Sequence, residues 1–333
     1  MERRQQLQSW IAAEFPGRAF EIAPASADAS FRRYFRVTFD DDPTPLIVMD
    51  APPSHEDCRP YIQVAELFGA AGAHVPQIIR QNLAEGFLLL SDLGSTTYLQ
   101  ALTKDNAHNL YADALGALIC IQNASRPGVL PEYDRALLMR EMELFPVWYV
   151  ARHKGVTLTD KQTADLYDVF DRIVEVNLAE PKVFVHRDYH SRNLMQTTER
   201  NPGVIDFQDA VYGPVTYDLV SLFKDAYIHW EEDFALDMLA RYWETARALG
   251  LPVRADFAEF HRDYEWMGVQ RHIKVLGIFA RLYHRDGKDG YLKDIPLVLG
   301  YLKKACNRYP ELRPLGELIR DLTGEQQNVG FTF

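Results

Sequence analysis

The stretch VFVHRDYHSRNLMQ, residues 183–196, decides the fold of this chain. An apolar run at 183–185 ends at a dense group of polar side chains that includes His186, Asp188 and Asn193. Taken alone, the pattern is equally typical of a buried strand followed by a polar turn, because Asp and Asn are common turn residues. The rest of the sequence is needed to decide between a turn and a functional site.

A second acidic strand end follows a short distance later. The run GVIDFQDA at 203–210 reaches its carboxylate at Asp206, so Asp188, Asn193 and Asp206 supply three oxygen donors near the ends of short predicted strands. Asn193 and Asp206 suit Mg²⁺, a hard cation that binds one or two carboxylates together with phosphate oxygens and water. Asp188 is then available to orient a hydroxyl group and accept its proton. This division of roles is the one that phosphoryl transfer requires.

The chain before this stretch is predicted to be rich in strands, and the chain around it helical. Strands are predicted at 31–39 and 46–51, with a turn at 40–45, a helix from 52 to about 72, and two more strands at 77–94. Helical periodicity then predicts helices at 105–124, 133–154, 159–180, 217–229, 232–249, 255–284, 290–308 and 315–323. We therefore predict an α+β fold with two lobes: a small antiparallel sheet at 1–92, a hinge at about 91–95, and a mainly helical lobe at 93–333.

The composition excludes several classes of protein. The 333 residues carry a net charge of −11, which disfavours non-specific binding to nucleic acid. The three cysteines form no CxxC pair, so neither a disulfide framework nor a zinc site is indicated and a reducing, cytoplasmic location is expected. The N-terminal stretch resembles an amphipathic helix rather than a signal peptide, and no run approaches the roughly 20 apolar residues of a membrane span. We expect a monomer with a small-molecule partner, and neither nucleic acid nor membrane.

Three motifs together point to a family. HRDYHSRN, IDFQDA and GPVTYDL resemble the aminoglycoside phosphotransferase and choline kinase group of small-molecule kinases. The resemblance implies a protein-kinase-like fold, ATP and Mg²⁺ as cofactors, Asp188 as catalytic base, and Asn193 and Asp206 as the Mg²⁺ ligands. It also implies that Asp218 buttresses the catalytic loop, and we expect His186 to brace the loop rather than react.

A narrower resemblance concerns the acceptor. DASFRRYFRV, IVMDAPP and MGVQRHIKVLGIFARL are similar to bacterial kinases that phosphorylate the anomeric hydroxyl of N-acetylmuramate and N-acetylglucosamine in peptidoglycan recycling. The resemblance implies an amino-sugar substrate and a sugar 1-phosphate product.

The nucleotide end departs from the family pattern. No Gly-x-x-x-x-Gly-Lys-Ser/Thr motif occurs, which excludes the P-loop fold. The segment 23–33 has no glycine, so backbone amides and Ser30 are the candidates for covering the phosphates. Met49 stands where the family commonly carries a phosphate-binding lysine. Arg32 or Arg33 is the candidate replacement, but strand alternation allows only one of them to face the cleft. Glu66 is a candidate ion-pair partner.

The segment FLLLSDLGS at 87–95 resembles the hinge that binds adenine. The contacts there would come from backbone groups near Ser91 and Leu93, so side-chain identity says little. A buried strand followed by a turn is the alternative interpretation.

The acceptor site is less defined by the sequence. Trp148 offers an aromatic platform, and Arg271 and His272 interrupt an apolar helical run where an unpaired charge would be costly. An arginine would bind the lactyl carboxylate of N-acetylmuramate well. His190 is a further candidate, as are Lys274, Arg187 and Arg192.

Two alternatives stay open. The first is another hydroxyl acceptor, such as an aminoglycoside, choline or homoserine. The second is a nucleotide-binding module without catalysis, which Met49 and the glycine-free loop favour. A protein kinase is disfavoured because DFQ replaces Asp-Phe-Gly and no Ala-Pro-Glu follows.

Overall fold

The computed structural model describes residues 2–27 and 31–324, without the side chains of residues 2, 26 and 27. By its internal contacts the chain divides into two compact units. The first contains residues 1–124 and 192–210, and the second contains residues 125–191 and 211–333. The lobe boundary at 91–95 stays a prediction.

The first unit contains a five-stranded sheet in which every neighbouring pair is antiparallel. In the order in which they pair, its strands are β1 (Phe20–Ala27), β2 (Arg33–Phe39), β3 (Asp42–Asp50), β5 (Phe87–Ser91) and β4 (Ile78–Asn82). The antiparallel sheet was predicted, but β1 falls partly in the segment predicted as a loop. Pro24 is tolerated there because β1 is an edge strand. The turn predicted at 40–45 is also wrong in part, since β3 begins at Asp42.

The two faces of this sheet have different partners. The N-terminal helix α1 (Glu2–Glu14) packs Leu7 and Ile11 on one face, against Val37 of β2, Val48 of β3 and Leu89 of β5. Alternation along the strands sends the intervening residues to the opposite face. That face forms one wall of the cavity described below.

The remaining elements of the first unit are three helices and a short hairpin: α2 (Arg59–Ala70), α3 (Tyr98–Ala101), α4 (Ala107–Asn123), β7 (Leu194–Met195) and β8 (Gly203–Val204). Helix α2 begins later than predicted, at Arg59, with Pro60 in its first turn, where proline is compatible with a helix. The strands β7 and β8 pair antiparallel and carry the second part of the motif at 183–210.

The second unit is mainly helical. Its elements are α5 (Arg135–Met142), a π-helix (Phe145–His153), α6 (Asp160–Leu178), β6 (Lys182–Val185), β9 (Val211–Pro214), α7 (Tyr217–Phe223), α8 (Glu232–Ala248), α9 (Phe257–Asp286), a 3₁₀ helix (Asp289–Asp294), α10 (Ile295–Arg308), a 3₁₀ turn (Pro310–Leu312) and α11 (Arg313–Thr323). The single helix predicted at 133–154 is wrong: α5 ends at Met142, and the π-helix follows with Pro146 near its start, since proline disrupts a helix interior.

Helix α9 is the central element of this unit and packs against α5, α6, α7, α10 and the π-helix. The Asp256 side chain caps its N-terminus by accepting from Glu259 N, and Gly287 ends it with φ 67°. Gly277 lets the π-helix approach closely, because a Cβ there would lie 2.5 Å from the backbone carbon of Leu144. No helix in the described part of the chain combines the length and apolar character needed to cross a membrane.

Candidate active site

The predicted catalytic loop, residues 186–193, follows strand β6, and a buried carboxylate fixes its first two peptide groups. Asp218, in the first turn of α7, accepts hydrogen bonds from His186 N at 2.7 Å and from Arg187 N at 3.0 Å. Burial raises the pKa of Asp218 to about 7, although the two backbone donors lower it. These contacts are the ones expected if Asp218 buttresses the loop. The His186 side chain is fully buried.

Arg187 adopts an uncommon backbone conformation with φ 76°, in the left-handed region that non-glycine residues rarely occupy. The surrounding structure holds it there. Its side chain forms an ion pair with Glu141, and its carbonyl oxygen accepts from Arg271 Nη1 at 2.7 Å. Strained residues of this kind concentrate at functional sites, because only a well-determined environment maintains them.

Asp188 follows directly and keeps an accessible carboxylate, with 41% of its side chain exposed. Arg271 Nη2 lies 3.7 Å from Asp188 Oδ1. Desolvation alone would raise the pKa of Asp188, but the positive charges of Lys274, Arg271 and His190 outweigh it and hold the pKa well below its usual range. Asp188 is therefore a carboxylate at neutral pH and can accept a hydrogen bond from a hydroxyl group.

Glu141 of α5 is the hub of a buried charged cluster behind the loop. Its carboxylate binds Arg187 and Tyr133, and accepts from Lys274 Nζ at 2.9 Å and from Gln270 Nε2 at 3.2 Å. Burial opposes ionisation of Glu141, but Lys274 and Arg187 outweigh it and lower its pKa to about 2. Glu141 therefore stays charged and anchors the Arg187 side chain.

A second connection joins the end of the loop to the segment after α7. Buried Asp225 accepts from Ser191 N at 2.9 Å and Ser191 Oγ at 2.5 Å, and from Tyr227 N at 2.9 Å. The His190 ring meets the half-buried Tyr227 ring edge-on, with centroids 5.3 Å apart. An imidazole and a phenol ring thus adjoin each other two residues from Asp188.

The hairpin β7–β8 of the first unit places Asn193 and Asp206 together. Asn193 Nδ2 donates to Asp206 Oδ2 at 3.2 Å, and Gln208 Nε2 donates to Asp206 Oδ1 at 2.8 Å. Asp206 has φ 64°, a second left-handed residue in the motif. The next residue, Phe207, packs on Tyr61 of α2 with centroids 4.9 Å apart, which fixes the direction of the Asp206 backbone.

This pair fits a magnesium ion that is bound together with a nucleotide. Among residues 2–27 and 31–324, no group of three or more His, Cys, Asp or Glu side chains is arranged to hold a metal. The protein would supply only one carboxylate and one amide oxygen. Such a small number of protein ligands is typical of Mg²⁺ sites that also use phosphate oxygens and water.

A cavity of about 330 Å³ adjoins this pair within the first unit. Its volume is in the range of small-molecule sites. Asn193 and Asp206 line it, and so do Ser91 and Leu93 of the predicted hinge. Apolar side chains contribute much of the remaining wall: Ile47, Pro76, Leu90, Met195 and Ile205. The predicted hinge and the predicted metal ligands therefore share one cavity.

Arg36 of β2 connects the predicted hinge segment to the sheet. Its Nε lies 2.5 Å from Asp92 Oδ2, and its Nη2 donates to Gly94 O at 3.1 Å. Hydrogen bonding to Asp92 raises the pKa of Arg36. Because Arg36, Asp92 and Gly94 also line the cavity, these hydrogen bonds shape its wall.

The structure distinguishes between the two arginines predicted as replacements for the lysine. Arg33 lies on the face that includes Asp50 and forms an ion pair with that buried carboxylate, which Arg3 also binds at 2.8 Å. Arg32 is 12% exposed and lies 3.6 Å from Glu56. Glu66, the predicted partner, is exposed on α2.

The charge of Arg32 acts on Tyr61, which lines the cavity together with Asp206. Burial, Tyr34 and Asp206 raise the pKa of Tyr61, and Arg32 lowers it. Met49 is fully buried on β3, next to Tyr34 in the strand register. Ser30 lies outside the described residues.

The predicted substrate-binding residues do not all lie together in the structure. Arg271 contacts the catalytic loop, as described above, and His190 lies within it. The His272 ring stacks on Tyr301 at 4.8 Å, and burial together with Lys224 lowers its pKa to about 3. Trp148 is half-buried on the π-helix and is not among the described residues found to contact Asp188.

Several site residues were not predicted from the sequence. Gln208 lies inside the motif IDFQDA, but that motif assigned a role only to Asp206. Asp225 follows Lys224 and lies outside the three motifs that carry the family resemblance. Tyr227 lies two residues after Asp225 and is likewise outside those motifs. Glu141 carries no signal, because it looks like any acid within a helix.

Comparison with known proteins establishes the class. The chain belongs to the phosphotransferase enzyme family, whose sequence profile matches residues 21–257. It is therefore an enzyme that transfers a phosphoryl group, and the resemblance seen in its motifs is confirmed.

Curated relatives are similar over almost the whole chain. An N-acetylmuramate/N-acetylglucosamine kinase from Neisseria meningitidis is 51% identical over 338 aligned positions, covering 100% of both chains. The kinase of the same name from Pseudomonas aeruginosa is 54% identical, over 91% of this chain and 88% of that one. The one from Pseudomonas putida is 50% identical, over 96% of each.

Solved structures of low identity share the fold. Choline kinase LicA from Streptococcus pneumoniae has a TM-score of 0.66 at 10% identity, covering 91% of this chain and 100% of that chain. The ADP-bound aminoglycoside phosphotransferase APH(2'')-Ib has a TM-score of 0.58 at 13% identity, covering 89% and 97%. The predicted protein-kinase-like α+β fold is confirmed.

Proposed function

We propose that this protein transfers the γ-phosphoryl group of ATP to the anomeric hydroxyl of N-acetylmuramate or N-acetylglucosamine. The product is the sugar 1-phosphate, and the reaction belongs to peptidoglycan recycling in the cytoplasm. One observation carries the choice of acceptor: three relatives with the name N-acetylmuramate/N-acetylglucosamine kinase are 50–54% identical over nearly the full chain.

Asp188 is the base in this proposal. Its carboxylate accepts a hydrogen bond from the anomeric hydroxyl and takes its proton as the sugar oxygen attacks the γ-phosphorus and the bond to ADP breaks. The low pKa of Asp188 supports the role, because a group that orients a hydroxyl must be ionised before the acceptor arrives. Its exposed side gives the acceptor access.

Asn193 and Asp206 would hold Mg²⁺ with the nucleotide. The bound ion neutralises charge on the β- and γ-phosphates. The protein contributes the direction of the two ligands: the Gln208 hydrogen bond holds one carboxylate oxygen of Asp206, and the Asn193 amide holds the other.

The nucleotide would lie in the 330 Å³ cavity. Adenine would bind backbone groups of Ser91 and Leu93, with Arg36 and Asp92 fixing the hinge that presents them. Arg32 would supply the charge that a lysine at position 49 supplies in related kinases, with Glu56 orienting it. Its contact with Glu56 and the effect of its charge on Tyr61, a residue of the cavity wall, support the assignment.

The acceptor would lie against His190 and Tyr227. Sugar rings bind well to aromatic faces flanked by hydrogen-bonding groups, and this pair adjoins the base through the catalytic loop. Trp148 remains a weaker candidate for the platform.

The proposal is tested by assaying phosphoryl transfer from ATP to N-acetylmuramate and N-acetylglucosamine, with choline, homoserine and kanamycin alongside. ³¹P NMR of the product should show coupling of the phosphorus to the anomeric proton. Turnover of choline, homoserine or kanamycin but of neither amino sugar would favour a different acceptor on the same scaffold. The absence of turnover with every acceptor would favour a nucleotide-binding module.

Asp188→Asn separates the base from nucleotide binding. It should lower kcat by about 10²- to 10⁴-fold, the usual contribution of a positioned base, and leave the Kd for ATP nearly unchanged. Asp168→Asn, an exposed aspartate on α6, is the matched control and should behave like the parent. Full activity of Asp188→Asn would show that the base is another residue.

A further inference from the structure

Arg271 lies in the middle of α9, in the second unit, and reaches the strained part of the catalytic loop. Its side chain is only 8% exposed. Its Nη1 donates to Arg187 O at 2.7 Å and to Tyr217 Oη at 3.1 Å. Its Nη2 lies 3.7 Å from Asp188 Oδ1. One guanidinium group therefore contacts both the residue with the uncommon φ and the base that follows it.

Three groups of Arg187 are held from three directions. Asp218 accepts from its N–H at 3.0 Å, Glu141 pairs with its side chain, and Arg271 donates to its carbonyl oxygen. Because Arg187 O belongs to the peptide that joins it to Asp188, Arg271 fixes the plane of that peptide. The plane sets the direction in which the Asp188 side chain leaves the backbone.

We infer that Arg271 is a positioning residue for the base. It holds the peptide between Arg187 and Asp188 and directs the Asp188 carboxylate, and it does not bind the acceptor. This role rests on the proposed function only in that Asp188 is the base, and it applies to any hydroxyl acceptor. It replaces the expectation that Arg271 contacts the sugar.

The neighbouring cation does not duplicate this role. Lys274 Nζ binds Tyr217 Oη at 2.9 Å and Glu141 Oε1 at 2.9 Å, so its hydrogen bonds go to the buried cluster. It contributes positive charge near Asp188 but holds no backbone group of the loop among the described contacts. A rigid planar guanidinium can donate to the peptide and face the carboxylate at once, which a single ammonium group cannot do.

An acceptor-binding role for Arg271 is disfavoured by its contacts. To bind a carboxylate of the sugar, its guanidinium would have to leave Arg187 O and Tyr217 Oη. That would leave Arg187 O with only the long hydrogen bond from Ser221 Oγ at 3.5 Å, at the cost of a lost hydrogen bond to a charged group.

The test compares Arg271→Gln, Arg271→Lys and Arg285→Gln. We expect Arg271→Gln to lower kcat by about 10- to 100-fold, because a small misplacement of a catalytic group has effects of this size. The KM values for ATP and acceptor should stay within about twofold, as expected when only transition-state stabilisation is lost. Arg271→Lys should recover part of kcat. Arg285→Gln, near the exposed end of the same helix, should match the parent.

Folding is checked for each variant by circular dichroism and thermal unfolding. If Arg271→Gln does not fold, Arg271→Lys and Tyr217→Phe take its place. Tyr217→Phe removes one hydrogen-bond partner of Arg271 and should lower kcat less than Arg271→Lys, again without a change in KM for the acceptor.

Two results would overturn the inference. One is a parental kcat in Arg271→Gln, or in Arg271→Lys where the former does not fold. The other is a raised KM for the acceptor with kcat retained, which would make Arg271 a substrate-binding residue. Failure of the proposed function looks different: the parent protein would phosphorylate no amino sugar. The same variants are then assayed with the acceptor that the parent does phosphorylate or, if there is none, by ATP hydrolysis.

Discussion

Replacing Glu141 with glutamine should strongly destabilise the second unit. The carboxylate is buried and pairs with both Arg187 and Lys274. Its pKa of about 2, against an ordinary 4.5, corresponds to about 3 kcal/mol of stabilisation at roughly 1.4 kcal/mol per pKa unit. Removing one partner of a buried ion pair costs about 3–5 kcal/mol in general, so the two routes agree. We expect Glu141→Gln to lower the free energy of unfolding by about 3 kcal/mol at neutral pH.

Urea unfolding followed by circular dichroism measures this loss, with Glu143→Gln as the matched control because Glu143 is exposed and two residues away. The pH dependence has a fixed sign. Folding lowers the pKa of Glu141, so its stabilisation is present above pH 4.5 and is lost as the pH falls towards 2. The difference between the parent and Glu141→Gln should shrink over that range. A loss of under about 1 kcal/mol at neutral pH would refute the reasoning, because it would place the pair in the range of surface salt bridges.

Two further changes test the packing of α9 and the hinge. Gly277→Ala would place a Cβ 2.5 Å from the Leu144 backbone and should destabilise by about 1–3 kcal/mol in thermal or urea unfolding. Gly300→Ala, in helix α10, meets no heavy atom within 4 Å and should be neutral or stabilising; equal effects of the two would contradict the close approach. Arg36→Ala leaves the buried Asp92 carboxylate without its guanidinium partner, and we expect it to raise the Kd for ATP about tenfold. Calorimetry measures this Kd, and an unchanged value would show that the Arg36–Asp92 pair does not shape the site.

The fold could be predicted where the sequence carries periodic patterns. Helix α6 follows Thr159, whose side chain caps its N-terminus, and the strands β2, β3 and β5 are rich in apolar residues. Strand β1 could not be predicted, because Pro24 and small residues hide an edge strand that its pairing with β2 stabilises. Local propensity does not contain that tertiary contribution.

The site could be predicted only as far as its motifs extend. The sequence placed Asn193 and Asp206 together, and the structure shows them 3.2 Å apart. It did not separate Arg271 from His272, since both interrupt the same apolar run. Neighbouring residues of a helix point about 100° apart, so one reaches the catalytic loop and the other stacks on Tyr301. Which neighbour faces which element depends on helix packing that no local pattern encodes. The catalytic roles of all these residues stay predictions.

An amine-reactive inhibitor would find no target on β3, because Met49 stands where related kinases commonly carry a lysine. Met49 is also fully buried and is not among the residues that line the cavity, so a compound in the cavity would not contact its side chain. A reagent that relies on covalent capture of a strand lysine would therefore spare this phosphotransferase because of one side chain on the sheet.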